Sequence, residues 1–226
     1  MQRLFLILLL SGSGALFSCR NDDKKKEKRD VYAKYTIWGE EEKEFVNAFF
    51  QFQSGGPDGP ALILTGPARV LLDSNLLIAD SARETGVFYE LQIPVEDFEG
   101  GHTITFINED QKQYKQEFFF TPFRLKKKMG DTLRRNEMVI DVDGLKDKTL
   151  VRVVITDTTF EGAGVNEIDT VRNNQLDLRK FFRDVSNGPI NLHLYTEEER
   201  LLNKGSSGWG EISITYALKR EFELKD

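Results

Sequence analysis

Histidine occurs only twice in the 226 residues, as His102 and His193, and cysteine once, as Cys19. A single cysteine cannot close a bridge within its own chain, so no disulfide framework holds this protein and one thiol is left for modification. Both histidines lie in stretches that alternate like strands. A metal site using both would have to join distant segments, and a half-buried strand histidine is the simpler reading. The G-x-S-x-G elbow, H-E-x-x-H, the Walker loop and C-x-x-C are all absent from the sequence. Glycoside hydrolysis needs two carboxylates that converge on one cleft. The runs Glu40-Glu41-Glu42 and Glu197-Glu198-Glu199 read instead as solvated acids in turns. Asp141, Asp143 and Asp147 surround Gly144 and could offer hard oxygen ligands to calcium, although the closing glutamate of a calcium loop is missing. The same residues also suit a turn between strands. Trp209, within the glycine- and serine-rich stretch 205–210, is a candidate stacking platform for a sugar or a partner surface, or else a cover for the end of a core. Trp38 begins in a strand-like context and reads as core. The expectation is a protein without a cofactor and without a catalytic site.

What must position these residues begins at the N-terminus. Arg3 precedes the apolar run Leu4 to Leu10, and small residues follow up to Ala15. This is the layout of a cleaved signal peptide spanning residues 1–18. A membrane span would need roughly 20 apolar residues, and this segment is shorter and interrupted by serine and glycine. The next stretch, residues 19–30, holds six basic and four acidic residues from Arg20 to Asp30 and nothing apolar. Such a segment has nothing to bury and reads as a solvated tether reaching at most on the order of 40 Å.

Leu16-Phe17-Ser18-Cys19 resembles a bacterial lipobox. The resemblance implies cleavage between Ser18 and Cys19 and attachment of lipid to Cys19, with Phe17 an uncommon residue at its position. Several acyl chains suffice for stable anchoring, since each buried methylene contributes about 0.8 kcal/mol. The Asp22-Asp23 pair resembles the surface-export signal of Bacteroidota lipoproteins. That resemblance places the body on the outer membrane facing outward, with a periplasm-facing position as the alternative.

From Val31 onward the pattern has period two. In Phe45 to Gln53, Val46, Ala48, Phe50 and Phe52 share one face, and Asn47, Gln51 and Gln53 share the other with Phe45 and Phe49. Strands are predicted at 61–65, 69–72, 76–79 and 87–93, then a hairpin of 101–108 and 113–120 after an acidic corner at 95–101. Pointing one ring of Phe118-Phe119-Phe120 away from the others suggests that Phe119 meets the second half of the chain. Residues 122–135 read as a connector. Strands follow at 138–142, 150–156 and 166–171, a short helix at 178–185, a hairpin turning at Glu197–Glu199, and strands at 211–216 and 221–224.

Residues 31–122 carry 6 basic and 15 acidic residues, whereas residues 123–226 carry 18 of each. The asymmetry suits two β-sandwich domains, 31–122 and 123–226. The order strand, acidic corner, hairpin in the first resembles the closing strands of an immunoglobulin-like sandwich, with His102 where that fold commonly places a corner tyrosine. The fold class expected is thus all-β, with two tandem immunoglobulin-like sandwiches after the signal peptide and tether. The net charge of −6 argues against nucleic-acid binding, which needs a basic surface. The whole resembles small outer-membrane lipoproteins of Bacteroidota. That likeness implies a non-enzymatic binding, adhesion or scaffolding module whose partners are the membrane, through its lipid, and an envelope protein or a glycan. The alternative is a glycan-binding lipoprotein of a polysaccharide-uptake system.

Overall fold

Alternating burial organises the molecule. The computed structural model describes residues 30–41, 43–157, 164–202 and 209–226, and among these there is no α-helix. Cys19, Ser18, Asp22 and Asp23, with the signal peptide and most of the tether, lie outside the described residues. The strands in chain order are β1 (Val31–Glu40), β2 (Phe45–Ser54), β3 (Arg69–Leu72), β4 (Asn75–Leu76), β5 (Ala79–Ala82), β6 (Gly86–Pro94), β7 (Gly100–Ile107) and β8 (Gln113–Phe120). There follow β9 (Arg124–Leu125), β10 (Thr132–Arg134), β11 (Val139–Asp143), β12 (Leu150–Asp157), β13 (Val165–Thr170), β14 (Gln175–Asp177), β15 (Gly188–Leu202) and β16 (Gly210–Lys225).

These strands form three sheets. A nine-stranded sheet runs β13-β12-β15-β16-β1-β2-β6-β5, with β10 also paired to β16. A four-stranded sheet, β4-β3-β7-β8, and a three-stranded set, β14-β11-β9, complete the fold. Within residues 31–122, β1-β2-β6-β5 faces β4-β3-β7-β8, and every pairing is antiparallel. That strand order is the two-sheet arrangement of an immunoglobulin-like sandwich. The second half repeats its central pairings, with β9-β11-β14 opposite β13-β12-β15-β16. The protein is therefore all-β, built of immunoglobulin-like sandwich layers.

The two halves are joined by a ladder rather than by a connector alone. β15 and β16 are long, and the first half of β16 runs parallel to β1 from Ala33↔Gly210 to Glu40↔Ala217. Along β16, Ile212, Ile214, Tyr216, Leu218, Phe222 and Leu224 are all buried on one face. In β1 the buried face is Ala33, Tyr35, Ile37 and Gly39. Both smaller sheets thus cover the same side of the nine-stranded sheet, over one continuous apolar core. Two glycines allow the close approaches. A Cβ on Gly39 would lie 2.6 Å from the Phe120 ring, and one on Gly210 (φ +156°) would lie 1.8 Å from the Ala33 carbonyl oxygen.

Several expectations change at this level. Residues 178–185 form successive turns rather than a helix. Leu178, Phe182 and Val185 are buried as the periodicity requires, but the carbonyls of Phe182 and Val185 accept hydrogen bonds from Arg135 instead of from a following helical turn. Glu197–Glu199 do not turn the chain. They pair through β15 with Thr215, Ile214 and Ser213, and their charges occupy a sheet edge, where charge discourages pairing with other chains. The predicted breaks in the last strands vanish into one continuous β16. Residues 61–65 keep only an isolated bridge at Ala61, because the Leu64 amide donates to the Tyr89 hydroxyl instead of to a ladder partner. The supposed connector contributes β9 and β10. Phe119 is 73% exposed, and the ring that meets the second half is Phe120, 5.8 Å from Tyr216.

Candidate binding face

The uncovered side of the nine-stranded sheet follows from the same alternation. With odd positions of β1 in the core, Lys34, Thr36, Trp38 and Glu40 project the other way. From β2 come Asn47, Phe49 and Gln51, from β6 Phe88, Glu90 and Gln92, and from β15 and β16 His193, Tyr195, Ser213, Thr215 and Lys219. The registers Trp38↔Asn47, Thr36↔Phe49 and Trp38↔Thr215 place these side chains in one grid. No described strand stacks on this face. Phe49 and Phe88 stack at 4.9 Å with planes 26° apart, and both remain partly exposed. Trp38, expected in the core, is likewise only half-buried, its ring 6.2 Å from that of Tyr195. Large rings beside amides and hydroxyls give this surface both stacking area and directional hydrogen bonding.

Where β1 leaves the sheet, the face holds a polar cluster. Glu40, expected as a solvated turn acid, is 6% exposed, and both of its carboxylate oxygens lie 3.0 Å from Lys219 Nζ. Glu41 pairs with Arg220 at 2.6 Å. These pairs tie the end of β1 to β16. His193 Nδ1 shares a 2.9 Å hydrogen bond with the Tyr195 hydroxyl. Burial, reinforced by the Lys219 charge, holds the imidazole below its ordinary pKa, and burial raises that of the Tyr195 phenol. Burial likewise pushes the Tyr216 phenol up to about 12. Arg152 and Glu197 close the row with a 2.7 Å ion pair.

The other residues singled out from the sequence lie elsewhere. Trp209 is half-buried, edge-on to Tyr32 at 5.3 Å, and its carbonyl accepts the Ala33 amide at the start of the β1–β16 ladder. This is a position at the end of the core; much of its loop, residues 203–208, lies outside the described residues. The calcium candidates are separately engaged: Asp141 by Gln175 at 2.8 Å, Asp143 by Arg124 at 3.0 Å, and Asp147 by the Asn173 amide at 3.0 Å. Among the described residues no three His, Cys, Asp or Glu side chains gather as a metal-holding group. His102 is in β7 and His193 in β15, in different sheets. His102 fills the corner position that its sequence context suggested. Its ring stacks on Phe98 at 3.8 Å, Nε2 lies 2.9 Å from the Phe98 carbonyl, and Nδ1 lies 2.6 Å from Asp73.

Among the described residues no helix is long and apolar enough to cross a membrane. No protein-family model and no curated protein matches the chain. Two solved structures are similar in architecture. The crystal structure of DIP-gamma IG1+IG2 aligns over 87% of this chain and 98% of its own, at 8% identity and a TM-score of 0.24. The other concerns host cell surface retention of a 1.5-MDa bacterial ice-binding adhesin, and it aligns over 87% of this chain and 65% of its own, at 8% identity and a TM-score of 0.22. At such scores neither neighbour bears on function, and the fold class rests on the strand order itself.

Proposed function

We propose that this protein is a lipid-tethered, non-enzymatic binding module of the bacterial cell envelope, held through Cys19 at the outer membrane with its body outward. The observation that supports the binding role is the open face of the nine-stranded sheet. Its aromatic rings are arrayed among neutral amides and hydroxyls, and the ion pairs Glu40–Lys219, Arg152–Glu197 and Lys34–Glu211 neutralise charges along the face. A photo-cross-linking residue at position 36 in the centre of that face should capture an envelope partner from intact cells. The same residue at Lys115, on exposed β8, should capture none. Equal capture at both positions, or none at either, removes this reading. Protease shaving of intact cells tests the outward placement, since full protection of the body would overturn it.

The pairing of Phe49 and Phe88 beside Asn47, Gln51 and Gln92 favours a second reading, in which the partner is a glycan. Neutral sugars present apolar ring faces and hydroxyl edges, which such a surface complements. A Trp38→Ala/Phe49→Ala variant should then lose retention on a neutral polysaccharide gel while keeping its melting temperature within a few degrees.

A further inference from the structure

The second half of the chain contains a cavity that the open face does not include. It has a volume of about 500 Å³, comparable to small-molecule sites, is half open to solvent, and lies between the ends of β13 and β14 and the turns after β14. Its walls carry Arg172, Arg179, Lys180 and Arg183 against Asp169 and Asp177.

The two acids are already neutralised. Asp177 receives Arg179 Nε at 2.8 Å and Nη2 at 2.6 Å, a two-pronged pair, and this contact holds its carboxyl down at about 2. Lys180 lies 3.0 Å from Asp169, whose side chain is 13% exposed. These pairs fix Arg179 and Lys180 in place. Among the described residues, Arg172 and Arg183 have no carboxylate partner, so the cavity has two uncompensated guanidinium groups. Thr170 and Asn173 add a hydroxyl and an amide to the same wall. Asn173 and Asn174 adopt φ values of +52° and +60°, which turn the chain tightly between β13 and β14 and bring Arg172 to the rim.

Planar guanidinium forks match tetrahedral oxyanions, each donating hydrogen bonds to two of the oxygens. We infer that this cavity binds a sulfate or phosphate group, either as a free oxyanion or as an ester on a small molecule such as a sugar. The site is independent of the open face, and its failure would leave that reading untouched.

Sulfate is the cleaner probe because its charge does not change across neutral pH. Calorimetric titration of the full chain at constant ionic strength should show saturable binding of inorganic sulfate, and none of galactose. An Arg172→Gln/Arg183→Gln variant should bind at least about tenfold more weakly, whereas Arg124→Gln, which removes an exposed arginine on β9, should leave affinity unchanged. Both substituted arginines of the double variant are exposed, so its melting temperature should stay near that of the parent. Galactose 6-sulfate binding more tightly than inorganic sulfate supports the site and identifies an ester as its ligand; equal affinity supports it and identifies the free oxyanion. Absence of saturable binding by either anion, or undiminished binding in the double variant, overturns the inference.

Discussion

The two halves of this molecule share a strand plan and close it differently. The first half opposes four strands to four and fills the space with rings: Tyr35, Phe50, Phe52, Phe98, Phe106, Phe118 and Phe120 are all buried. The second half covers its part of the large sheet with only β9, β11 and β14, two or three residues long at its ends, over a mainly aliphatic core of Ile140, Val151, Val153, Leu176, Leu192 and Leu194, with Phe123, Phe182 and Phe222 as its buried rings. Their corners differ in the same sense. In the first half, between β6 and β7, a His102 ring is stacked and hydrogen-bonded into place. In the second, between β14 and β15, the guanidinium of Arg135 takes the carbonyls of Phe182 and Val185 and the side chain of Asn187. The lesson is that one topology tolerates a full or a thin second layer, and that the thin one leaves room for a cavity. No described strand continues the small sheet beyond β14, and it is there that the charged pocket opens.

The core contrast carries the largest expected effects. Phe50→Ala should cost about 3–5 kcal/mol and Leu192→Ala about 2–5 kcal/mol, measured by denaturant unfolding. A much smaller loss at Leu192 would mean that the thin half contributes little to stability. Next comes the ion pair at the junction. Glu40→Ala should cost roughly 2 kcal/mol, less than a fully buried pair because Lys219 remains 37% exposed. A double-mutant cycle with Lys219→Ala checks that the two groups are coupled. The corners follow, with His102→Gln and Arg135→Gln each expected to cost on the order of 1–2 kcal/mol in thermal unfolding. Equal losses would show that a stacked imidazole and a bridging guanidinium are interchangeable solutions.

The smallest effect is a pH dependence. Burial depresses the His193 pKa in the folded protein below the ordinary value of 6.5, so the unfolded chain takes up its proton first as pH falls. This contribution to stability is therefore complete above 6.5 and declines as pH drops from there toward the folded pKa. His193→Gln should flatten that part of the stability–pH curve, and an unchanged curve would remove His193 as its source.

Much of the first half was legible because its strands are local and alternate cleanly. The β2 pattern from Phe45 to Gln53 already separated Phe50 and Phe52 from Phe49, and the hairpin of β7 and β8 lay close to where its turn residues suggested. His102 was recognisable from its place after the acidic corner. The join between the halves was not legible, because a parallel ladder between chain ends leaves no local mark: Tyr32 and Glu211, hydrogen-bonded at 3.1 Å, are 179 positions apart. Hence Glu40 looked like a solvated acid and Trp38 like core, when the sheet added beside β1 buries the first and sets the second on the open face. The charged cavity was equally hidden, since Arg172 and Arg183 meet only through the turns around β14, where periodicity pointed to a helix.

The first half and the second share one sheet through β1 and β16. Amide hydrogen exchange on the full chain and on Leu192→Ala tests this join most directly. If the ladder joins the halves, destabilising the second should lower protection at Tyr35 and Ile37 in β1 together with that in β16. Undiminished protection of β1, with loosening confined to residues after 123, would contradict the shared sheet.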